Sequence, residues 1–360
     1  MRILFLAKRH YTHKDALLER YGRVYQLPLA WTASADTRLA LLDYYGHDAA
    51  EAIDGALTVS STPVRSVRRL VRQLADFRPD IVVASGDCFV GLLAQWLARR
   101  SGARFVFDVY DDYREFGAYR AFLGWDAYGY LLRRASLALY ASSALADRHP
   151  AATPWHLVPN GIDPALFQPR DETQARARTG LDIASRWIGY FGGMEPERGA
   201  ADLVEAVGLL HARDRSIRLV LCGKPHPSVN TDLPWVENRG SVAHTRIPDF
   251  IAACDVVVLP YRRGPIIDMA SSCKIAEYLF CERPVVATDT PNLATNFPVQ
   301  ARELGPAICR PGDPADLARA IDFQLQARRI ASRPEQHTWH AIACDTLAEL
   351  RRLRPGPVRS

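Results

Sequence analysis

Two groups of residues in this chain have the types and spacing to do chemistry. The first is Lys274 and Glu277, three residues apart and so neighbours on one face of a helix. A polar loop, Tyr261 to Ser272, leads into them. An apolar run before the loop, Asp255 to Pro260, reads as a buried strand, and Pro284 to Thr288 reads as a second. Strand, loop, helix, strand is a parallel crossover, and such sheets bind ligands beyond the carboxyl ends of their strands. The helix start offers free backbone N–H groups to an anion. Lys274 adds a cation, and Glu277 can accept two sugar or ribose hydroxyls. Such a set suits a phosphorylated sugar. The plainer alternative is a surface ion pair on any doubly wound α/β domain. The second group is Asp108, Asp111 and Asp112, at the carboxyl end of the strand Arg104 to Val109. Three carboxylates there are costly unless solvated, paired or used. Asp111 or Asp112 could instead cap the helix that follows.

The elements that must position these groups come in two successive sets. Arg2 to Ala7 reads as a first strand, followed by a basic loop of Lys8, Arg9, His10, Tyr11, Thr12 and His13. Arg23 to Leu29 and Ala56 to Ser60 read as strands, with mixed helical character from Thr37 to Ile53. Pro63 to Phe77 is an amphipathic helix, since Val64, Val67, Leu70, Val71 and Leu74 recur at helical spacing. Its other face carries Arg65, Arg68, Arg69 and Arg72, either a solvated face or one drawn to anionic lipid. Pro79 to Ser85 is a strand ending in Gly86 and Asp87. The rings of Tyr110, Tyr113, Phe116, Tyr119, Phe122, Trp125 and Tyr128 recur every three residues and spiral around a helix. They could stack on sugars, meet a membrane interface, or simply pack. His156 to Pro159 ends the first set, and Asn160-Gly161 makes a tight turn. The second set has strands at Trp187 to Gly192, Ile217 to Gly223, Val236 to Val242, the crossover, and Pro306 to Pro311. A last helix runs from Thr338 to about Leu353, before a tail expected to fray.

Composition bounds the reading. The 360 residues are about twice a usual domain, so two domains are expected. With 48% hydrophobic residues the chain can bury full cores. A net charge of +5 suits anionic substrates or an anionic membrane surface; no nucleic-acid partner is expected. The seven cysteines are scattered without a C-x-x-C pair, which argues against a disulfide framework or zinc site and fits a reducing cytoplasm. The apolar run at the N-terminus is too short for a signal peptide or a membrane span. No G-x-G-x-x-G follows an expected strand, which argues against a dinucleotide dehydrogenase.

Ser272, Lys274, Glu277, Tyr278 and the run Pro284 to Thr288 resemble the pattern S-P-L-K-x-x-E-Y-x-A-x-G-K-P-V-V-A-T. This is the donor-binding signature of glycosyltransferase family 4, a family of retaining GT-B enzymes. The stretch Val158 to Asp163, with Phe167 and Pro169, resembles the family's passage between domains. The resemblance implies an α/β, GT-B fold with two doubly wound Rossmann-like domains facing a cleft. Residues 1–169 would form the acceptor side and 170–337 the donor domain, with the helix in 338–360 packing back on the first. It implies transfer of a hexosyl unit from a nucleotide diphosphate sugar to an acceptor hydroxyl, retaining and metal-independent, with no cofactor. The acceptor would be a glycan or lipid-linked, in cell-surface polysaccharide or glycolipid synthesis, in the cytoplasm at the inner membrane face.

The implied donor-binding residues are Gly192, Gly193, Arg198, Ser271, Ser272, Lys274 and Glu277. The family's Arg–Lys diphosphate clamp is incomplete: Gly193 stands where the arginine would be, and Arg198 for the lysine. Arg262 or Arg263 is expected to restore the missing charge. Met269 occupies the place of a common family acid. Lys8, His10 and Asp87 fall on the acceptor side. Asp111 matches a D-V-x-D stretch of the family and would orient the acceptor or steady the oxocarbenium-like sugar, with Asp108 as runner-up. In an inverting enzyme either would be the general base. Two other classes stay open: a non-catalytic nucleotide-sugar-binding partner, and a sugar-nucleotide epimerase.

Overall fold

A computed structural model describes residues 1–11, 14–115, 119 and 123–353, without the side chains of residues 69 and 73–75. Thr12, His13, Phe116, Phe122, the side chains of Arg69 and Leu74, and the tail Arg354 to Ser360 lie outside the described residues. The chain divides into two compact units, Met1–Gly161 with Trp339–Ser360, and Ile162–Thr338.

The first unit is built on an eight-stranded sheet. Its strands are β1 (Arg2–Lys8), β4 (Asp36–Asp43), β5 (Ala50–Asp54), β6 (Leu57–Pro63), β7 (Ile81–Ser85), β8 (Arg104–Val109), β9 (Leu137–Tyr140) and β10 (Trp155–Leu157), in the order β10-β9-β8-β7-β1-β4-β6-β5. All pairs are parallel except the edge strand β5 against β6. Every residue of β7 and β9 is buried, as expected for parallel strands covered on both faces. A two-stranded hairpin, β2 (His10–Tyr11) and β3 (Lys14–Asp15), follows β1 directly. Because β4 and β7 flank β1, the strand order reverses at β1, and the carboxyl ends there define a binding crevice. The last helix, Trp339–Arg352, buries Ile342, Ala343, Leu347 and Leu350 in this unit's core. A methyl at Gly161 would lie 2.5 Å from the Trp339 indole, so the Asn160-Gly161 turn leaves room for that helix.

Two expectations need correction. Arg23–Trp31 is a helix, not a strand: Val24, Leu27, Pro28 and Trp31 recur at helical spacing and are buried. The stretch expected to be partly helical, Thr37 to Ile53, forms β4 and β5 instead: β4 is buried on both faces and so reads as a continuous apolar run without period, whereas β5 is a half-exposed edge strand fixed by its antiparallel pairing with β6. In the aromatic series Tyr113 and Tyr128 are core residues, at 1% and 0% exposure, whereas Trp125 is exposed.

Asp108 ends β8 and is fully buried. Arg23, at the start of its helix, pairs with both Asp108 oxygens at 2.5–3.1 Å and also donates to the carbonyls of Val158 and Pro159. Ser85 Oγ donates to Asp108 at 2.6 Å. A buried carboxylate so matched ties three elements together, and its acceptors are spent. This placement argues against the catalytic role expected of Asp108, whose carboxylate serves as a structural anchor.

The second unit has a six-stranded, all-parallel sheet: β11 (Arg186–Phe191), β12 (Ile217–Cys222), β13 (Val236–Asn238), β14 (Val256–Leu259), β15 (Val285–Thr288) and β16 (Ile308–Cys309). The order β13-β12-β11-β14-β15-β16 reverses at β11, so its crevice lies between the ends of β11 and β14. The seven cysteines are free thiols. Among the described residues no helix is long and apolar enough to cross a membrane.

Two stability tests follow from this packing. Arg23→Ala strands a buried charge and should cost the first unit about 3–5 kcal/mol in chemical denaturation; a loss below about 1 kcal/mol would contradict the anchoring role. In the second unit His337 is 4% exposed and stacks on Phe297 with ring centroids 4.4 Å apart. Burial lowers its pKa to about 4. The unfolded chain takes up that proton near pH 6.5, so the contribution is whole above pH 6.5 and is lost as pH falls toward 4, roughly 3 kcal/mol in all. His337→Gln should remove that part of the pH dependence, and an unchanged profile would refute it.

Candidate functional site

In the second unit the crossover brings its expected residues to the carboxyl edge of β11 and β14. Lys274 opens the helix Lys274–Phe280, and its aliphatic end lies against Gly192, where a methyl group would come within 2.4 Å of Lys274 Cε. Gly192 has a φ of +157°, and a methyl at Gly223 of the adjacent loop would lie 1.9 Å from the Gly192 carbonyl oxygen. These glycines let two loops and the lysine share one small space. Burial disfavours the Lys274 ammonium, but the nearby Glu277 carboxylate and Tyr261 outweigh that and raise its pKa. The cation therefore persists at neutral pH.

Arg198 stands over the Tyr261 ring, 5.4 Å from its centroid, and the Tyr261 hydroxyl lies 3.2 Å from Ser272 Oγ. Arg198 is weakly paired with Glu195 at 3.9 Å. Gly193 accepts from the Tyr190 hydroxyl at 2.6 Å through its carbonyl. Gly199, with φ +69°, starts the helix Ala200–Arg213 without a side-chain cap, so N–H groups of the first turn remain open. A methyl there would lie 1.7 Å from the Pro260 carbonyl, which holds the loop after β14 against this helix start.

Glu277 is 4% exposed, and the one hydrogen bond recorded to its carboxylate among the described residues is from the Cys273 thiol at 3.5 Å. A thiol is a weak donor. A buried carboxylate so poorly matched is ready to accept hydroxyls. Ser271, in the loop that leads into this helix, is also buried.

The two arginines expected to complete the clamp are otherwise engaged. Arg262 makes a two-pronged pair with Asp202, at 2.5 and 2.7 Å, and Asp202 is 5% exposed. Arg263 pairs with Asp268 at 3.0 and 3.1 Å and is largely exposed. Asp202 carried no signal of its own, since an acid in the first turn of a helix is ordinary. Lys224 is exposed next to Gly223, which closes on Gly192 at the end of β12.

In the first unit Lys8 ends β1, pairs with Asp87 and lies 5.0 Å from the Tyr44 ring centroid. Asp87 also caps the helix Cys88–Ser101 by accepting from the N–H groups of Phe89 and Val90. Asp111 is half-buried and accepts from the Tyr11 hydroxyl at 2.9 Å. The cap after β8 falls to Asp112, which accepts from the Arg114 N–H at 3.2 Å. The two readings of the acidic run thus separate: Asp112 caps, and Asp111 is turned toward the hairpin. His10 sits in that hairpin, 3.4 Å from Asp15.

A model described as "Glycosyl transferase 4-like domain" matches residues 5–161, and one described as "Glycosyl transferases group 1" matches residues 185–326. A lipopolysaccharide core biosynthesis mannosyltransferase of Rhizobium meliloti is 29% identical over 231 residues, 59% of this chain and 62% of that protein. A D-inositol 3-phosphate glycosyltransferase of Stackebrandtia nassauensis is 26% identical over 216 residues, 53% of this chain and 47% of that one. The chain thus spans less than two thirds of the length of these relatives. Among solved structures, a sucrose-phosphate synthase from Thermosynechococcus elongatus superposes with a TM-score of 0.72 at 17% identity, covering 98% of this chain and 99% of the other. Anabaena HepE, in complex with UDP and glucose, gives 0.70 at 18% identity, covering 98% and 100%. At such identities these likenesses establish the GT-B fold alone.

The geometry predicts different outcomes for the two cations. Lys274→Ala should weaken binding of a nucleoside diphosphate by tenfold or more and leave nucleoside binding nearly unchanged, as measured by calorimetry. Arg262→Ala should instead lower thermal stability, since it leaves Asp202 buried without its partner. A diphosphate-specific loss in the Arg262 variant equal to that at Lys274 would reverse this assignment.

Proposed function

The chain belongs to the group 1, family-4-like glycosyltransferases, and from that premise we propose that it moves a hexosyl unit from a nucleotide diphosphate sugar to an acceptor hydroxyl. The observation that carries the reading is Glu277, buried with a thiol as its one hydrogen-bond donor among the described residues, one helical turn from a cationic Lys274. Hydroxyls of the donor would complete its hydrogen bonding. The diphosphate would lie on the Gly192–Gly193 backbone and the uncapped start of the Ala200–Arg213 helix, with Lys274 and Arg198 as counter-charges. The barrier is loss of that diphosphate as a leaving group, and preset cations and N–H dipoles stabilise the charge that develops on it. In this reading the reaction retains configuration and uses no metal at the diphosphate. Asp111, steadied by Tyr11, orients the acceptor or the cationic sugar.

The proposed acceptor is a glycan or a lipid-linked glycan in polysaccharide or glycolipid synthesis. The names of the relatives support that class. Arg65, Arg68 and Arg72 are exposed around one helix and offer an anionic membrane surface a counter-charge. The rival reading, a binding-only partner, draws on Gly193 and on Met269, which is buried and cannot replace an acid.

Two substitutions test the proposal. Glu277→Gln should weaken donor binding by about 1.5–3 kcal/mol while leaving the fold intact; unchanged affinity would return Glu277 to a structural role. Asp111→Asn should lower turnover far more than donor affinity. A wild-type protein that binds donor yet neither transfers nor hydrolyses the sugar would favour the binding-only reading.

A further inference from the structure

The carboxyl edge of the first unit holds a cluster that the proposed sugar transfer does not use. His10 follows β1, and Asp43 ends β4, the strand paired with it. His47 lies on the loop after β4. One ligand atom from each of His10, Asp43 and His47 falls within 4.8 Å of the others. No metal motif in the sequence joins them: His10 is expected on the acceptor side alone, and the first two come from different strands. The parallel pairing of β1 and β4 is what brings them together.

The arrangement has the marks of a cation site. His47 Nδ1 is 2.7 Å from Asp43 Oδ2, and the His10 and His47 rings stack with centroids 5.3 Å apart. His10 Nδ1 is buried without a hydrogen-bond partner among the described residues, a cost that a ligand would relieve. Asp43 is 1% exposed and held by the N–H groups of Tyr45 and Gly46, so its carboxylate is fixed in place. His47 is the exposed member and can move toward the others.

Charge is permissive as well. Arg9 touches Asp43 at 3.4 Å, but its main partner is Asp15, at 2.8–3.1 Å from Nε and Nη2. One guanidinium against the two carboxylates leaves the cluster a net negative charge when both imidazoles are neutral. A cation would therefore displace the longer Arg9 contact and the His47–Asp43 hydrogen bond. We propose that His10, Asp43 and His47 bind a divalent first-row transition ion of the zinc class. Two imidazoles and one carboxylate favour such an ion over magnesium or calcium, which prefer all-oxygen sites. Three protein ligands leave one coordination position open to water or to a substrate oxygen. Bonds of about 2.0–2.1 Å would open the His47–Asp43 pair slightly and draw His10 in, with the exposed His47 able to adjust.

Calorimetry and thermal unfolding of the chelator-treated full chain, with zinc chloride and magnesium chloride as probes, decide the matter. Zinc should bind with one-to-one stoichiometry and raise the melting temperature, and magnesium should do neither. His47→Ala, a change at an exposed side chain, should weaken zinc at least tenfold, and His10→Ala likewise. A His10→Ala, His47→Ala double variant that stays folded should lose the thermal shift entirely. Absence of zinc binding in the wild type would overturn the proposal. So would zinc binding of unchanged strength in the folded double variant, which would place the ion on other histidines or thiols.

Discussion

A buried carboxylate must be matched, and two carboxylates show the two ways this chain meets that demand. Asp108 is matched by Arg23 and Ser85 within the fold, and its pairing ties together a helix, a strand end and the carbonyls after β10. Glu277 is nearly as buried, yet its recorded partner is a thiol. The first is complete without a ligand. On the proposed reading the second is completed by a bound donor, beside Lys274 and the close-packed glycine loops.

Close backbone approach makes the arrangement possible. Gly192, Gly199 and Gly223 each sit where a side chain would strike a neighbour, two of those neighbours being backbone carbonyls. The loops after β11, β12 and β14 can therefore converge at the strand-order reversal. The same convergence explains why Arg262 is not free: the loop after β14 passes beside the start of the Ala200–Arg213 helix, where Asp202 captures it.

Much of this was legible in the residue order. Lys274 and Glu277 were found through helical spacing between two apolar strands, and the fold class through alternating strands and helices. The failures have physical causes. Arg23–Trp31 contains β-branched and aromatic residues that suit a strand, but its buried face has helical period and Arg23 has a distant partner in Asp108. Within Thr37 to Ile53, burial of β4 on both faces erases the alternation that marks a strand, and β5 is a short edge strand fixed by its pairing with β6. The ion pairs of Arg262 and Arg263 and the meeting of His10 with His47 depend on which strands lie side by side. Local sequence patterns carry no record of that.

The central claim is that the second unit holds a nucleoside diphosphate between the loop after β11 and the Lys274–Phe280 helix. Amide hydrogen exchange with and without the tightest-binding nucleoside diphosphate, chosen from a panel that includes UDP and GDP, tests it most directly. The account predicts slowed exchange over residues 191–203 and 259–280, with little change in the strands of the first unit. Slowing confined to the first unit, or no slowing at either segment with a ligand that demonstrably binds, would contradict it.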